Sequence, residues 1–227
     1  MKIRHIASIF LAAAALSMQA GTNFDFSSRK AVIKSLETAE ATLGNPSSPE
    51  HNEAAYLEVL QKATGSSFLD ENDKLRPQLL LENALKNKIG AKATDIEYVL
   101  PDGTQKNVLD GNEKYTLIYF NDPDCEACAM VKERLDTCSI LRNLAENGTL
   151  KVIGIYTMDN EKAWKEMHFP DYIENGWDKN QMIDSEETYV LPTMPLFYLL
   201  DFDKNVLLKN EPSLNNVLDY LSRESNK

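Results

Sequence analysis

The sequence predicts an α/β fold in which a central mixed sheet is flanked by helices and preceded by a small all-helical segment. Up to about residue 88, the chain carries apolar residues at helical spacing. Beyond residue 91, short apolar runs such as 115-YTLIYF-120 and 150-LKVIGIY-156 are typical of buried strands. The fold class rests on these two patterns and on the abrupt change between them.

Length and charge narrow the functional classes. The chain has 227 residues, of which 43% are hydrophobic and 26% charged, enough for one globular domain and an added segment. Its formal net charge of −11 disfavours nucleic acid and anionic membrane surfaces as partners.

Residues 1–20 read as a secretory signal peptide. Lys2 and Arg4 precede the apolar run 6-IASIFLAAAALSM-18, and a small residue follows at a plausible cleavage site. The run is too short to span a bilayer. We therefore expect a periplasmic or otherwise exported protein that is soluble after signal-peptide removal.

The segment 21–89 is predicted to form three helices. The first ends at 44-GNP-46, the second follows 47-SSPE-50 with its capping hydroxyl, and the third runs from about 75 to 89 and stops at Gly90. The apolar positions expected to face the core are Val32, Leu36, Ala39, Leu43, Ala54, Leu57, Leu60, Leu81, Leu85 and Ile89. Such a segment is typical of a packing appendage or a dimer surface.

The segment 90–227 is predicted to form the α/β domain. Pro and Gly in 101-PDGT-104 favour a turn that joins two hairpin strands. The further elements expected in order are strand 115–120, a helix from Cys125 to Asn147, strand 150–156, a short helix at 162–167, an irregular stretch containing Trp177, strands 196–201 and 206–209, and a last helix with Leu214, Val217, Leu218 and Leu221.

Two of the three cysteines stand three positions apart in 125-CEAC-128, between a buried strand and a predicted helix. Disulfides persist outside the cytoplasm, so in an exported chain this pair is first interpreted as a redox group. A structural zinc site would need a second ligand pair, and the chain offers only Cys138, His51 and His168 outside the signal peptide. We expect neither a metal nor another cofactor.

This order of elements resembles the thioredoxin fold, and more narrowly the exported thioredoxin-like oxidoreductases of the TlpA/ResA kind. The matching features are the early hairpin, 125-CEAC-128, and Pro195 before a strand, a hairpin and a final helix. The resemblance covers about residues 90 to 227. It implies that Pro195 is preceded by a cis bond and that Met194 presents backbone groups to an extended substrate. Pro192 is a competing candidate that the distance from the strand disfavours.

The cysteine pair can exchange disulfides. Only a thiolate attacks a disulfide, and the free N–H groups and dipole of a helix start would stabilise the charge of Cys125. Cys125 is therefore the expected nucleophile, and Cys128 the resolving thiol. Asp124 and Glu126, with Asp122, are expected to oppose the thiolate and so favour a reductant over an oxidase. Alternatively, they point into solvent and have small effects.

The sequence departs from the family pattern at several positions. The family carries an acid six residues before the first cysteine, where this chain has Tyr119, and ResA-like chains carry Glu where Val131 stands. The usual proton acceptor for the resolving thiol is thus missing, and Glu133 and Glu126 are the candidates to replace it. Cys138 lies too far along the predicted helix to pair with Cys128, and we expect a buried, unreactive thiol.

Two functions follow from these observations. The first is an exported thiol-disulfide oxidoreductase that reduces protein disulfides through Cys125 and Cys128. The alternative is a non-catalytic thioredoxin-like binding module in which the same two residues form a structural disulfide. The expected partners are protein thiols or disulfides, a membrane electron donor, and a second copy of the chain through the N-terminal helices.

Overall fold

The computed structural model describes residues 23–224. The expected signal peptide, residues 1–20, lies outside this range. Within it, one mixed sheet of seven strands runs in the spatial order β2-β1-β5-β4-β3-β6-β7. The strands are β1 (Glu97–Val99), β2 (Gln105–Asn107), β3 (Tyr115–Asn121), β4 (Leu150–Tyr156), β5 (Ile173–Trp177), β6 (Leu196–Leu200) and β7 (Val206–Glu211).

Strand β3 lies in the interior of the sheet, and every one of its residues is buried. It pairs in parallel with β4 and antiparallel with β6. Its side chains alternate between two cores, with Ile118 and Phe120 on one face and Leu117 and Tyr119 on the other. Because helices and loops cover both faces, the strand carries an unbroken apolar run, as the sequence indicates.

Eight helices lie within residues 23–224, and five of them belong to the α/β part. The helices are α1 (Arg29–Thr42), α2 (Glu53–Thr64), α3 (Glu71–Leu85), α4 (Glu126–Thr137), α5 (Ser139–Glu146), α6 (Glu161–Glu166), α7 (Met182–Ser185) and α8 (Leu214–Glu224). None of those described combines the length and apolarity needed to cross a membrane.

The N-terminal helices α1 to α3 share a small core of their own. The stripe from Val32 to Leu43 is buried, as predicted. The start of α2 was predicted wrongly, because its cap is Asn52, whose side chain accepts from the N–H of Ala55 at 3.0 Å, and the hydroxyls of 47–50 only form a turn before it. Ala54 is exposed.

The third predicted stripe was also wrong at its end. Helix α3 ends at Leu85, so Ile89 lies beyond it. The side chains of Leu85 and Ile89 are 47% and 49% exposed, and only Leu81 packs against the helical core.

The helical segment is attached to the sheet by polar contacts. The ammonium of Lys209 on β7 lies 2.7 Å from the carboxylate of Glu53 and donates to the carbonyl of Ala84 at 2.7 Å. The amide of Asn87 donates to the carbonyl of Thr188 at 2.9 Å. These bonds place the end of α3 beside the loop that follows α7.

Two further predictions in the α/β part were wrong. The stretch around Trp177, expected to be irregular, is strand β5, which pairs in parallel with β4. The helix expected from Cys125 to Asn147 is broken at Cys138, whose extended backbone (φ −76°, ψ 94°) separates α4 from α5. Cys138 is only half-buried, not buried as expected, and packs against the second core.

Candidate active site

The cysteine motif follows β3 directly, where a tight turn sets the start of α4. The carbonyl of Asp122 accepts from the N–H of Cys125 at 3.2 Å, and its carboxylate accepts from the N–H of Asp124 at 2.9 Å. This turn holds Cys125 at the N-cap position in an extended conformation. A buried central strand thereby fixes the position of a half-exposed sulfur.

Cys125 caps the helix with its sulfur. The N–H of Cys128 donates to the Cys125 Sγ at 3.3 Å, so the sulfur takes the place of a capping oxygen. The free N–H groups and the positive end of the helix dipole favour a negative charge there. The side chain is half-buried and remains accessible.

Cys128 lies one turn further into α4 and is 3% exposed. Burial raises the pKa of its thiol to about 12, and the hydrogen bond with Cys125 and the charges of Cys125 and Asp122 act in the same direction. The backbone of Asp122 opposes these effects with a hydrogen bond. The two thiols thus lie in different environments, one at the surface and one shielded, and both are free in this structure.

The segment before β6 lies beside the half-buried sulfur of Cys125. The Met194–Pro195 peptide bond is cis. The thiol of Cys125 lies 3.7 Å from the carbonyl oxygen of Met194, to which it donates. Pro195 is buried, whereas Met194 is half-buried and presents its backbone beside the sulfur.

Tyr119 occupies the position at which the resemblance implies an acid. Its hydroxyl donates to the carbonyl of Cys128 at 3.0 Å, and its ring stacks on Phe197 with centroids 5.0 Å apart. Burial, with the nearby cysteine sulfurs, raises the pKa of the tyrosine. This hydroxyl therefore supports the first turn of α4 and leaves the sulfur of Cys128 to other groups.

A cavity of about 350 Å³ opens beside Cys128. Asp122 and Asn121 line it, whereas Glu126 and Glu133, the two acids suggested from the sequence, do not. The Asn121 side chain is 2% exposed and donates to the carbonyls of Tyr119 and Ile155 at 3.2 Å, but its oxygen has no partner among the described residues.

Sequence reasoning placed Asp122 near Cys125 and missed that it and Asn121 border Cys128. The available signal was their position directly after the buried strand β3, at the edge of the sheet where the motif begins. Asp124 and Glu126 are exposed. Their charges are therefore screened by solvent, which limits their effect on Cys125.

The wall of the cavity opposite α4 depends on Gly154 in β4. A β-carbon at this position would lie 2.8 Å from the ring of Phe169, closer than real side chains approach. The phenyl ring fills that space and lines the cavity next to His168, which is exposed. Within residues 23–224, no group of three or more His, Cys, Asp or Glu side chains is arranged to hold a metal ion.

Solved structures of similar chains identify the family. A thioredoxin-like protein from Bacteroides caccae is 35% identical, with a TM-score of 0.80 over 85% of this chain and 70% of that one. This chain belongs to the thioredoxin-like proteins. No family model and no curated protein matches it.

Two more solved structures are similar to this chain. A conserved protein of unknown function from Bacteroides fragilis is 33% identical, with a TM-score of 0.55 over 59% of this chain and 98% of that one. A domain of a possible thiol-disulfide isomerase from Cytophaga hutchinsonii is 20% identical, with a TM-score of 0.51 over 61% of this chain and 94% of that one. The last similarity concerns the fold alone.

Proposed function

We propose that this chain is an exported thiol-disulfide oxidoreductase that reduces disulfides of protein substrates with Cys125 and Cys128. The observation that carries the proposal is the position of the Cys125 sulfur. It caps α4, accepts a backbone N–H at 3.3 Å and lies 3.7 Å from the Met194 carbonyl, where an extended substrate can reach it.

In the first step, the Cys125 thiolate attacks one sulfur of a substrate disulfide. A Cys125–substrate bond forms, the substrate disulfide breaks, and the leaving thiolate takes up a proton. The helix N-terminus stabilises the attacking charge before the reaction. The backbone of Met194 orients the substrate beside the sulfur, as the family resemblance implies.

In the second step, Cys128 attacks the Cys125 sulfur. The Cys125 charge that contributes to the high pKa of Cys128 has by then disappeared into the mixed disulfide, which makes the Cys128 thiol easier to ionise. We assign the proton to the carboxylate of Asp122, which lines the same cavity. The Cys125–Cys128 bond forms, and the second substrate thiolate leaves with that proton.

The net reaction transfers two electrons from the cysteine pair to the substrate disulfide and leaves the pair oxidised. Another turnover therefore requires a two-electron thiol donor, for which we propose a membrane protein on the exported side. Asp122 is thus the proton acceptor that replaces the family's missing acid.

The experiment compares insulin-type disulfide reduction by the wild type, Cys125→Ser and Cys128→Ser, with Cys138→Ser as the matched control. We expect loss of turnover in the first two variants and wild-type turnover in the control. Cys128→Ser should also accumulate a mixed disulfide at Cys125, detected by mass spectrometry.

A redox titration separates this function from the alternative binding module. A working reductant should equilibrate with a small dithiol at a potential no lower than about −300 mV. A pair that lies far below this value, in a protein that reduces no disulfide, would support a structural bond instead.

A further inference from the structure

A second cavity, of about 520 Å³, begins at Met194 beside the nucleophile. It passes the loop after α7 at Val190 and reaches α3 at Asn83. We call it the α3 groove and define it by Asn83, Met158, Asp184, Glu187, Val190 and Met194. Through α3, the helical segment forms one end of a groove whose other end is Met194, and the carbonyl oxygen of Met194 lies 3.7 Å from the Cys125 sulfur.

The apolar part of the α3 groove is suited to an extended chain. Val190 and Met194 are half-buried, and the side chain of Met158 is 51% exposed. Methionine is flexible and polarizable, so it adapts to different apolar neighbours. This part of the groove can therefore accept side chains next to a substrate cysteine without selecting one of them.

The charged part of the groove is acidic. Glu187 is paired with Lys86 at 2.9 Å, but the exposed Asp184 has no ion-pair partner among the described residues. The described residues that line the groove include no lysine, arginine or histidine. Asp184 is thus a negative charge without an ion-pair partner in the wall of a groove that reaches Met194, the residue next to Cys125 in space.

Further carboxylates extend this charge around the site. Asp122, Asp124 and Asp159 act together on the hydroxyl of Tyr156, where they add to the effect of burial in raising its pKa. The lysines close to this edge are largely engaged by acids, since Lys132 lies 3.4 Å from Asp136 and Lys165 lies 2.8 Å from Glu161. Lys179 acts on Glu161 as well. The approach to the nucleophile is therefore negative on both sides.

At the far end, Asn83 offers an unused acceptor. Its side-chain oxygen is buried and has no hydrogen-bond partner among the described residues. Buried polar atoms normally have a partner. The oxygen is closed to solvent in this structure, so an N–H donor on a bound peptide would satisfy it after a rotation of the Asn83 side chain towards the groove that this residue lines.

We propose that the α3 groove binds an extended, positively charged segment of a protein substrate next to its disulfide, so that the helical segment takes part in substrate selection. The proposal rests on the proposed function. A lysine or arginine of the substrate pairs with Asp184, apolar side chains contact Met158 and Val190, and a backbone N–H reaches Asn83. Complementary charge also speeds the encounter and makes it depend on salt.

The test uses two peptides, each closed by one disulfide and identical except for lysine or glutamate residues beside it. Each is mixed with the purified, pre-reduced chain, and the second-order rate constant of a single turnover is measured. We expect the lysine peptide to react faster, and this preference to shrink in high salt. Asp184→Asn should reduce the preference ~2–5-fold, as for one exposed ion pair.

Asp203→Asn is the matched control, because this exposed residue carries the same charge in the turn between β6 and β7, at the end of the strands opposite to the cysteine motif. It should leave the preference unchanged. A second variant, Asn83→Ala, should slow a peptide that extends along the groove and spare one cut back to the residues flanking the disulfide.

The outcomes separate the two proposals. Equal rates for both peptides, or equal effects of Asp184→Asn and Asp203→Asn, would overturn the groove and leave the oxidoreductase intact. If neither peptide is reduced, both proposals fail together.

Discussion

The hydroxyl of Tyr119 donates a hydrogen bond of 3.0 Å to the carbonyl oxygen of Cys128, at the position where the thioredoxin resemblance implies an acid. A phenol that is buried and engaged with a carbonyl is a poor proton acceptor for the adjacent sulfur. This contact separates two tasks, support of the first turn of α4 and proton transfer at Cys128. The first two predictions follow from that separation.

Tyr119→Phe should affect stability more than chemistry. It removes one neutral hydrogen bond and keeps the ring that stacks on Phe197, so we expect a loss of about 1 kcal/mol in the free energy of unfolding. Urea denaturation measures this loss. The rate at which Cys128 resolves a mixed disulfide should stay within about threefold of wild type, and a much larger decrease would assign proton transfer to the tyrosine instead.

Asp122→Asn should slow the resolving step and leave the first attack largely unchanged. The amide keeps the size of the side chain but cannot accept the proton of Cys128, and we expect the rate of the resolving step to fall by roughly 100-fold or more. Rapid quenching followed by mass spectrometry would show the mixed disulfide accumulating. Asp219→Asn, on an exposed position of α8, is the matched control and should behave like wild type.

The stability of the reduced protein should fall at alkaline pH because of Cys128. Burial raises the pKa of this thiol to about 12, above the ordinary value of 9.0, so the unfolded chain loses the proton first as the pH rises. The protonated Cys128 thiol makes its full contribution to the free energy of unfolding below about pH 9. This contribution is lost progressively towards pH 12, and the free energy of unfolding falls by at most about 1.4 kcal/mol per pH unit.

Denaturation of the wild type and Cys128→Ser across this pH range isolates the effect, because both proteins share the same buried tyrosines. The groups that face the Cys128 thiol are Cys125 and Asp122, and Tyr119 contacts the backbone of Cys128. Lys132 lines the same cavity. Parallel curves for the two proteins would mean that Cys128 titrates alike in the folded and unfolded chain.

Lys209→Met should destabilise the attachment of the helical segment. The side chains of Lys209 and Glu53 are 7% and 14% exposed, so the substitution leaves a nearly buried carboxylate without its counter-charge. We expect a loss of about 3–5 kcal/mol, part of which Glu53→Gln should restore in the double variant. Lys162→Met, which removes the exposed pair with Glu166, should change the free energy of unfolding by less than about 1 kcal/mol.

Local patterns predicted the central part of the fold. Three features depend only on residues that are adjacent in the sequence, and the structure has them where they were predicted. They are the apolar runs of β3 and β4, the turn at 101-PDGT-104 and the position of 125-CEAC-128. Strand β5 contains Asn175 and Gly176, two residue types that are uncommon in strands, so its sequence carries little strand signal. A β-carbon at Gly176 would lie 2.7 Å from the ring of Tyr98, so this glycine allows a close contact between β5 and β1, which are neighbours in the sheet but far apart in the sequence.

Contacts between residues far apart in the sequence also decided the helices and the site. Helical spacing predicted a buried stripe of Leu81, Leu85 and Ile89, but whether a stripe is buried depends on what packs against it. The hydroxyls of 47–50 do not cap α2, because the helix begins only at Glu53, where the side chain of Asn52 is in reach of the free N–H groups. Likewise, Asp122 borders Cys128 only because the turn after β3 folds back against α4.

Gly154 contributes no functional group, yet the space above it is what the ring of Phe169 occupies at the wall of the Cys128 cavity. A sequence motif for genomic searches that contains only the two cysteines and the proline would overlook this position. To recognise other chains with the same cavity, the motif must also include a glycine two residues before the end of β4.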